Sequence, residues 1–90
     1  MALSPQQRFA ANLRRARTKV GISQEELARR CDLHRTEVSL LERAGREPRL
    51  GTITKLAGSL GTTPEVLCEG ITWSVEKVRY EVKPPPDAKK

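Results

Sequence analysis

Histidine occurs once in this 90-residue chain and cysteine twice, and that scarcity closes off whole classes of chemistry. Cys31 and Cys68 fit neither a metal-ligand spacing nor a redox pair, so both are expected as reduced thiols at or near a core. A redox role for Cys31 would need an exposed, acidified thiolate. His34 has no second histidine or nearby cysteine pair to complete a metal site, and is expected to cap a helix. Nucleophile–base constellations, phosphate-cradling glycine loops and paired carboxylates with a reason to be buried are all missing. No catalysis and no cofactor are therefore expected. No apolar run approaches the ~18 residues of a membrane span, and the opening MALSPQQRF lacks the apolar stretch of a secretory signal. The expectation is a cytoplasmic protein with no membrane partner.

What is abundant is positive charge. Lys and Arg outnumber Asp and Glu 17 to 11. From Arg8 to Arg49 there are 11 basic and 6 acidic residues, so +5 of the net +6 falls in that span. An excess this localised suits a polyanion partner, although a solvated surface could carry a similar charge.

The same span has the periodicity of short helices. Ser4-Pro5 reads as a helix start with proline at the first position. The first helix runs to about Lys19, with Phe9, Leu13, Ala16 and Val20 on one stripe, and Gly21 ends it. Ser23 with Glu26 three residues on is the capping-box pattern, and opens a second helix over 23–31. Leu27 and Ala28 of this helix point inward, the small Ala28 permitting close approach of another helix. Cys31-Asp32-Leu33 forms a tight connection, in which Asp32 tolerates the left-handed backbone of a sharp turn. A third helix covers about 34–43. A fourth, over roughly 50–60, carries Leu50, Ile53, Leu56, Ala57 and Leu60. Thr62 or Thr63 caps a fifth, with Val66 and Leu67 as core contacts. Ninety residues make one small domain, near the lower range at which a core suffices without staples. The fold class expected is all-α, a compact five-helix bundle with a short C-terminal β-strand or extended tail.

In the third helix Val38 and Leu41 share the inward face. At about 100° per residue, Thr36, Ser39, Leu40 and Arg43 then turn most directly outward, and Arg35 projects from the first turn. Hydroxyls, a guanidinium and an aliphatic side chain on one face are groups able to read base edges in a DNA major groove. The plainer reading is a helical hairpin with an ordinary solvated face. Glu42 falls beside the inward edge, where it can pair with a basic residue of a neighbouring helix.

Beyond Gly70 the period changes to two. Ile71, Trp73 and Val75 alternate, as do Val78, Tyr80 and Val82, with a phase slip that could be a bulge or a turn at Glu76-Lys77. A lone strand must fold back as a hairpin or pair with a second copy of itself. Residues 1–70 are thus read as the helical domain and 71–83 as an extension. This extension is either a dimerisation arm or a tail with Trp73 tucked onto the bundle. Residues 84–90 are expected to be disordered.

Residues 9–67, including LRRARTKVGISQEELARRCDLHRTEVSLLERAGREPRLGTITKLAGSLGTTPEVL, resemble the lambda-repressor-like, XRE-type helix-turn-helix domain. The match is spread over all five helices. Members of that family are mostly bacterial and phage transcription regulators that bind palindromic operators as dimers. The resemblance implies that Gln24 contacts the DNA backbone, and that Arg35, Thr36 and Glu37 begin the recognition helix. It puts Ser39 and Leu40 farther along the reading face, Arg43 near phosphate and Arg46 in a contacting loop. Arg17 and Glu42 match an ion pair that ties the first helix to the recognition helix. Leu40 is apolar where many relatives carry a polar reader, and Glu37 is acidic on a DNA-facing edge.

The expected function is a sequence-specific, double-stranded-DNA-binding regulator that acts as a nucleoid-associated homodimer. One rival is an antitoxin or adaptor that holds a protein partner through residues 71–83. The other is a nucleoid-binding protein that binds through charge alone. The outward Thr36, Ser39 and Leu40 count against the latter, because phosphate binding needs none of them.

Overall fold

The computed structural model describes residues 3–86. Five helices run in order: α1 (Pro5–Val20), α2 (Gln24–Cys31), α3 (Arg35–Glu42), α4 (Leu50–Ser59) and α5 (Pro64–Leu67). Two strands follow, β1 (Ile71–Ser74) and β2 (Arg79–Val82). The expected all-α bundle is present, and the C-terminal strand is one arm of an antiparallel pair.

Local chemistry sets most of the helix ends. The Ser4 hydroxyl accepts from the Gln7 N–H (3.1 Å) while the Ser4 N–H donates to Gln7 Oε1 (2.8 Å), closing a reciprocal capping box around Pro5. Gly21 terminates α1 in the left-handed region at φ 87°, its N–H donating to the Arg17 carbonyl. Asp32 does the same for α2 at φ 56°. Thr63 caps α5, its hydroxyl accepting from the Val66 N–H.

Leu13, Leu27, Val38, Leu41, Leu56 and Leu67 are the fully enclosed side chains, so each of the five helices contributes at least one. Ala28 and Ala57 are buried at the close approaches between helices. Three residues read as core contacts lie outside. Val20, Leu50 and Val66 are exposed. Val20 and Leu50 stand in the end turns of their helices, Val20 on the wall of an open recess that it shares with Leu60 and Val66. In the single turn of α5, Leu67 takes the inward position and Val66 is left beside it.

Both cysteines are free. Cys31 is buried, its thiol donating to the Ser59 hydroxyl (3.2 Å), so the exposed thiolate that a redox role needs is not available. Cys68 is half-buried, and burial pushes its thiol up from its ordinary value.

β1 and β2 pair in the register Ile71↔Val82, Thr72↔Glu81, Trp73↔Tyr80, Ser74↔Arg79. The phase slip in the sequence is the turn over Val75–Val78, where Val78 takes φ 51°. Trp73 does not tuck onto the bundle. Its ring meets Tyr80 edge to face at 5.1 Å, and the two residues stay 52% and 54% exposed. A polar clamp on α1 holds the root of the hairpin. Asn12 Nδ2 donates to the carbonyls of Leu67 and Glu69, both at 2.9 Å, and its Oδ1 accepts from Arg8 Nε at 2.9 Å. The buried Arg8 guanidinium also donates to the Lys83 carbonyl and lies against Gly70. Pro84–Pro86 continue beyond β2, and residues 87–90 of the tail expected to be disordered lie outside the described residues.

Candidate nucleic-acid interface

The turn between α2 and α3 fixes how α3 is presented. Asp32 reverses the chain, and the Leu33 N–H donates to the Ala28 carbonyl (2.9 Å), which half-buries Leu33 beneath the turn. His34 then caps α3. Its Nδ1 accepts from the Thr36 N–H (3.1 Å), which uses the lone histidine as a helix cap. With Val38 and Leu41 enclosed, the opposite side of α3 is left to solvent.

That side forms one wall of a surface groove of about 560 Å³. Arg35, Thr36, Ser39 and Arg43 line it from α3 and its C-cap, Gln24 and Glu25 from the start of α2, and Arg17 from α1. The groove therefore gathers six of the residues singled out in the sequence. Arg43 donates to the Ser39 hydroxyl (3.3 Å) and enters no ion pair among the described residues. Arg35 is ion-paired with Glu25 across the helix pair.

Three candidates lie elsewhere. Glu37 and Arg46 form an ion pair with each other and line a separate recess with Leu33 and Arg49. Leu40 is half-buried against the loop that follows α3, its Cδ2 only 3.1 Å from where a side chain on Gly45 would begin. Leu40 is thus as much a packing residue as an outward one.

Behind the groove sits a buried carboxylate. Glu42 is 3% exposed. Its oxygens accept from Arg17 Nε (2.5 Å), Arg17 NH2 (3.0 Å) and Gln24 Nε2 (3.0 Å), and its carbonyl accepts from Arg14 (3.2 Å). Arg17 NH1 is spent on the Ile22 carbonyl (2.8 Å). The hydrogen bonds to Glu42 raise the Arg17 guanidinium above its ordinary value. One carboxylate therefore ties α1, α2 and α3 together, and Gln24 is held by Glu42 while its residue lines the groove. Sequence reasoning passed over Glu25 and Arg14. Glu25 stands next to Gln24 in the first turn of α2, which was the available signal; nothing local points Arg14 at the end of α3.

The arrangement supplies what duplex recognition requires of a small protein: an exposed helix with guanidinium and hydroxyl groups, flanked by a second helix start. No helix among the described residues is long and apolar enough to cross a membrane. The HTH_3 family model, helix-turn-helix, matches residues 13–67, which spans α2, the turn and α3 in full. Control protein C.BamHI of Bacillus amyloliquefaciens is 42% identical over 65 residues, covering 71% of this chain and 80% of that protein. A hypothetical transcription factor of Neisseria meningitidis serogroup B is 50% identical over 53 residues; the match covers 59% of this chain and half the length of that relative. Among solved structures, the restriction-modification controller protein C.AhdI of Aeromonas hydrophila superposes with a TM-score of 0.67 at 40% identity. That match covers 69% of this chain and 94% of C.AhdI.

Proposed function

This chain belongs to the helix-turn-helix family and is a DNA-binding regulator of transcription, and we propose that it reads a palindromic operator as a homodimer. In this reading α3 enters the major groove, which is wide enough to admit a helix. Thr36 and Ser39 meet base edges, and Arg35, once released from Glu25, offers guanine two donors. Arg43 and Gln24 hold phosphates that set the register, and Arg46 contacts the backbone from the loop. Arg17 and Glu42 fix the angle of α3 and act as positioning residues. A symmetric dimer would span half-sites roughly 10 bp apart, or a multiple of that.

The observation that carries the reading is the groove in which Arg35, Thr36, Ser39 and Arg43 converge with Gln24. A charge-only binder has no use for two hydroxyls between two arginines. Two of the relatives are controller proteins, which favours a narrower form: a regulator that acts on the promoter of a restriction–modification locus.

Selection from a random duplex pool at about physiological salt, followed by sequencing of the bound fraction, tests the proposal. Enrichment of an inverted repeat is the expected result. Retention without any enriched motif would reduce the protein to charge-driven binding, and no retention would overturn the reading.

A further inference from the structure

The hairpin has an edge whose pattern is complementary to itself. The Lys83 N–H donates to the Gly70 carbonyl (2.9 Å), so Lys83 turns its main-chain groups toward β1. In an antiparallel pair this alternates, so Glu81 and Arg79 also face β1, while Tyr80 and Val82 turn theirs away. No third strand among the described residues pairs with that side. An unpaired strand edge is a template for another strand.

We propose that β2 pairs antiparallel with β2 of a second copy, about a two-fold axis at Tyr80. The two hairpins then form one four-stranded sheet. Tyr80 exchanges main-chain hydrogen bonds with the partner's Tyr80. Arg79 stands opposite the partner's Glu81, and Glu81 opposite the partner's Arg79, in the closer, non-hydrogen-bonded kind of pair. Within one chain these two already attract, with Arg79 Nε 3.2 Å from Glu81 Oε2, and both side chains are exposed. Lys77 Nζ also lies 3.7 Å from Glu81 Oε2, so the two-fold axis gathers the two Glu81 carboxylates among arginines and lysines of both copies.

The neighbouring registers are each disfavoured by a particular residue. An axis at Arg79 or at Glu81 sets like charges directly opposite. An axis at Val78 sets Arg79 against Lys77, and Val78 is held out of extended geometry at φ 51°. An axis at Val82 brings Pro84 opposite Tyr80, where an N–H is needed and proline has none. The register centred on Tyr80 keeps Arg79–Glu81 extended and sets opposite charges on both sides of the axis, its ladder ending where Val78, at φ 51°, meets the partner's Val82. It also brings the exposed Trp73–Tyr80 aromatic pairs of the two copies side by side, which removes apolar surface from water.

This inference deepens the dimeric reading above and rests on it for its biological use. It is tested on the full chain by sedimentation across the micromolar range, with circular dichroism to verify that the helices persist. The wild type is expected to dimerise. Arg79→Glu places glutamates opposite one another at two symmetry-related points and should raise the dimer dissociation constant about tenfold or more. The exchange Arg79→Glu with Glu81→Arg restores opposite charges and should restore the dimer. A monomeric wild type, an undiminished Arg79→Glu dimer or a failed rescue would each overturn the edge pairing. A wild-type dimer that still enriches an inverted repeat when Arg79→Glu leaves it intact would overturn this surface alone. Absence of any enriched motif with the wild type would defeat the operator reading whether or not the hairpins pair.

Discussion

Glu42 is where a single atom-scale change should reach farthest. Its side chain is 1% exposed and that of Arg17 15%, so this is a largely buried ion pair. Removing one partner of such a pair costs about 3–5 kcal/mol, whereas replacing both by well-packed apolar groups is close to neutral. Arg17→Met leaves a carboxylate with Gln24 as its nearest donor and the Arg14 guanidinium at 3.8 Å, so about 3 kcal/mol should be lost. Glu42→Met leaves a guanidinium that keeps the Ile22 carbonyl and some contact with water, which sets the loss nearer ~2–3 kcal/mol. If the two losses were independent, the double variant would be roughly 5–6 kcal/mol less stable, enough to consume much of a small domain's margin. The pairing argument instead expects the double Met variant within ~1–2 kcal/mol of wild type, a coupling of at least about 3 kcal/mol. Urea unfolding of all four proteins, followed by helical circular dichroism at one salt concentration, measures the cycle directly. Additivity within ~0.5 kcal/mol would refute the claim that Arg17 and Glu42 act as a unit.

Other outcomes follow from single groups. Arg43→Ala should weaken binding to every duplex and reduce the slope of log K against log salt by about one, whereas Thr36→Ala should relax preference at one base position by about 1–3 kcal/mol with the slope unchanged; titrations at several salt concentrations separate them. Gly70→Ala should destabilise the hairpin by more than about 1 kcal/mol, because a Cβ there would stand 2.4 Å from the Arg8 guanidinium at a φ of +84°; loss of Trp73 fluorescence anisotropy reports it. The hydrogen bonds from Arg29 and then Arg30 hold the Glu26 carboxyl down at about 2, against an ordinary 4.5. A depressed carboxyl contributes stability that is present above its unfolded value and lost as pH falls through the folded one. The stability difference between wild type and Glu26→Gln should therefore shrink between pH 4.5 and 2, and an NMR titration of the carboxyl should show its midpoint near 2.

Much of the molecule was legible because it is local. Caps are decided within four residues, so Ser4, Gly21, Ser23 and His34 could be read one at a time, and the cap of the fifth helix narrowed to Thr62 or Thr63. The Asp32 turn needs only a residue that tolerates the left-handed region. Periodicity likewise gives the direction of a face, but not how far the neighbouring element extends along it. That is why Val20 and Leu50 were read as core and lie outside. Contacts distant in sequence were harder. Arg8 counted as one more surface cation, yet it is buried and clamps a hairpin 75 residues away. The signal was there in part: Arg8 and Asn12 stand four apart on α1, directly beside the Phe9–Leu13 stripe. A polar pair in that position has to find partners from another element. The period of two after Gly70 was visible, and a lone strand could fold back or find a copy; only the register decided that it folds back on itself.

The ion pairs at the interface bear on how such a surface discriminates. Arg35 is held by Glu25 and Arg46 by Glu37, so two of the guanidinium groups expected to meet DNA already have carboxylate partners. The Arg35–Glu25 pair is exposed on both sides, and such pairs contribute little to stability, with a median of about 0–1 kcal/mol, so it is cheaply opened; the Glu37 side chain is only 21% exposed, which makes the Arg46 pair the harder of the two to open. Their effect lies on the DNA side. In the proposed complex each arginine would exchange a carboxylate for a base edge or a phosphate, and the released carboxylate would stand close to the duplex. Glu37 can accept from a cytosine amino group if one lies opposite; against a phosphate it repels. In that complex Glu25 would penalise any register that brings the backbone too near the start of α2. A wrong sequence or a slipped register would then meet repulsion as well as a missing contact, and specificity is a difference that both effects widen. The same carboxylates lower the net charge of the face, which would limit binding to non-cognate DNA, where phosphate attraction is nearly all there is. Replacing Glu25 and Glu37 by Gln should accordingly raise affinity for random duplex more than for the selected site. A specificity ratio unchanged by both substitutions would mean that these acids only orient the arginines.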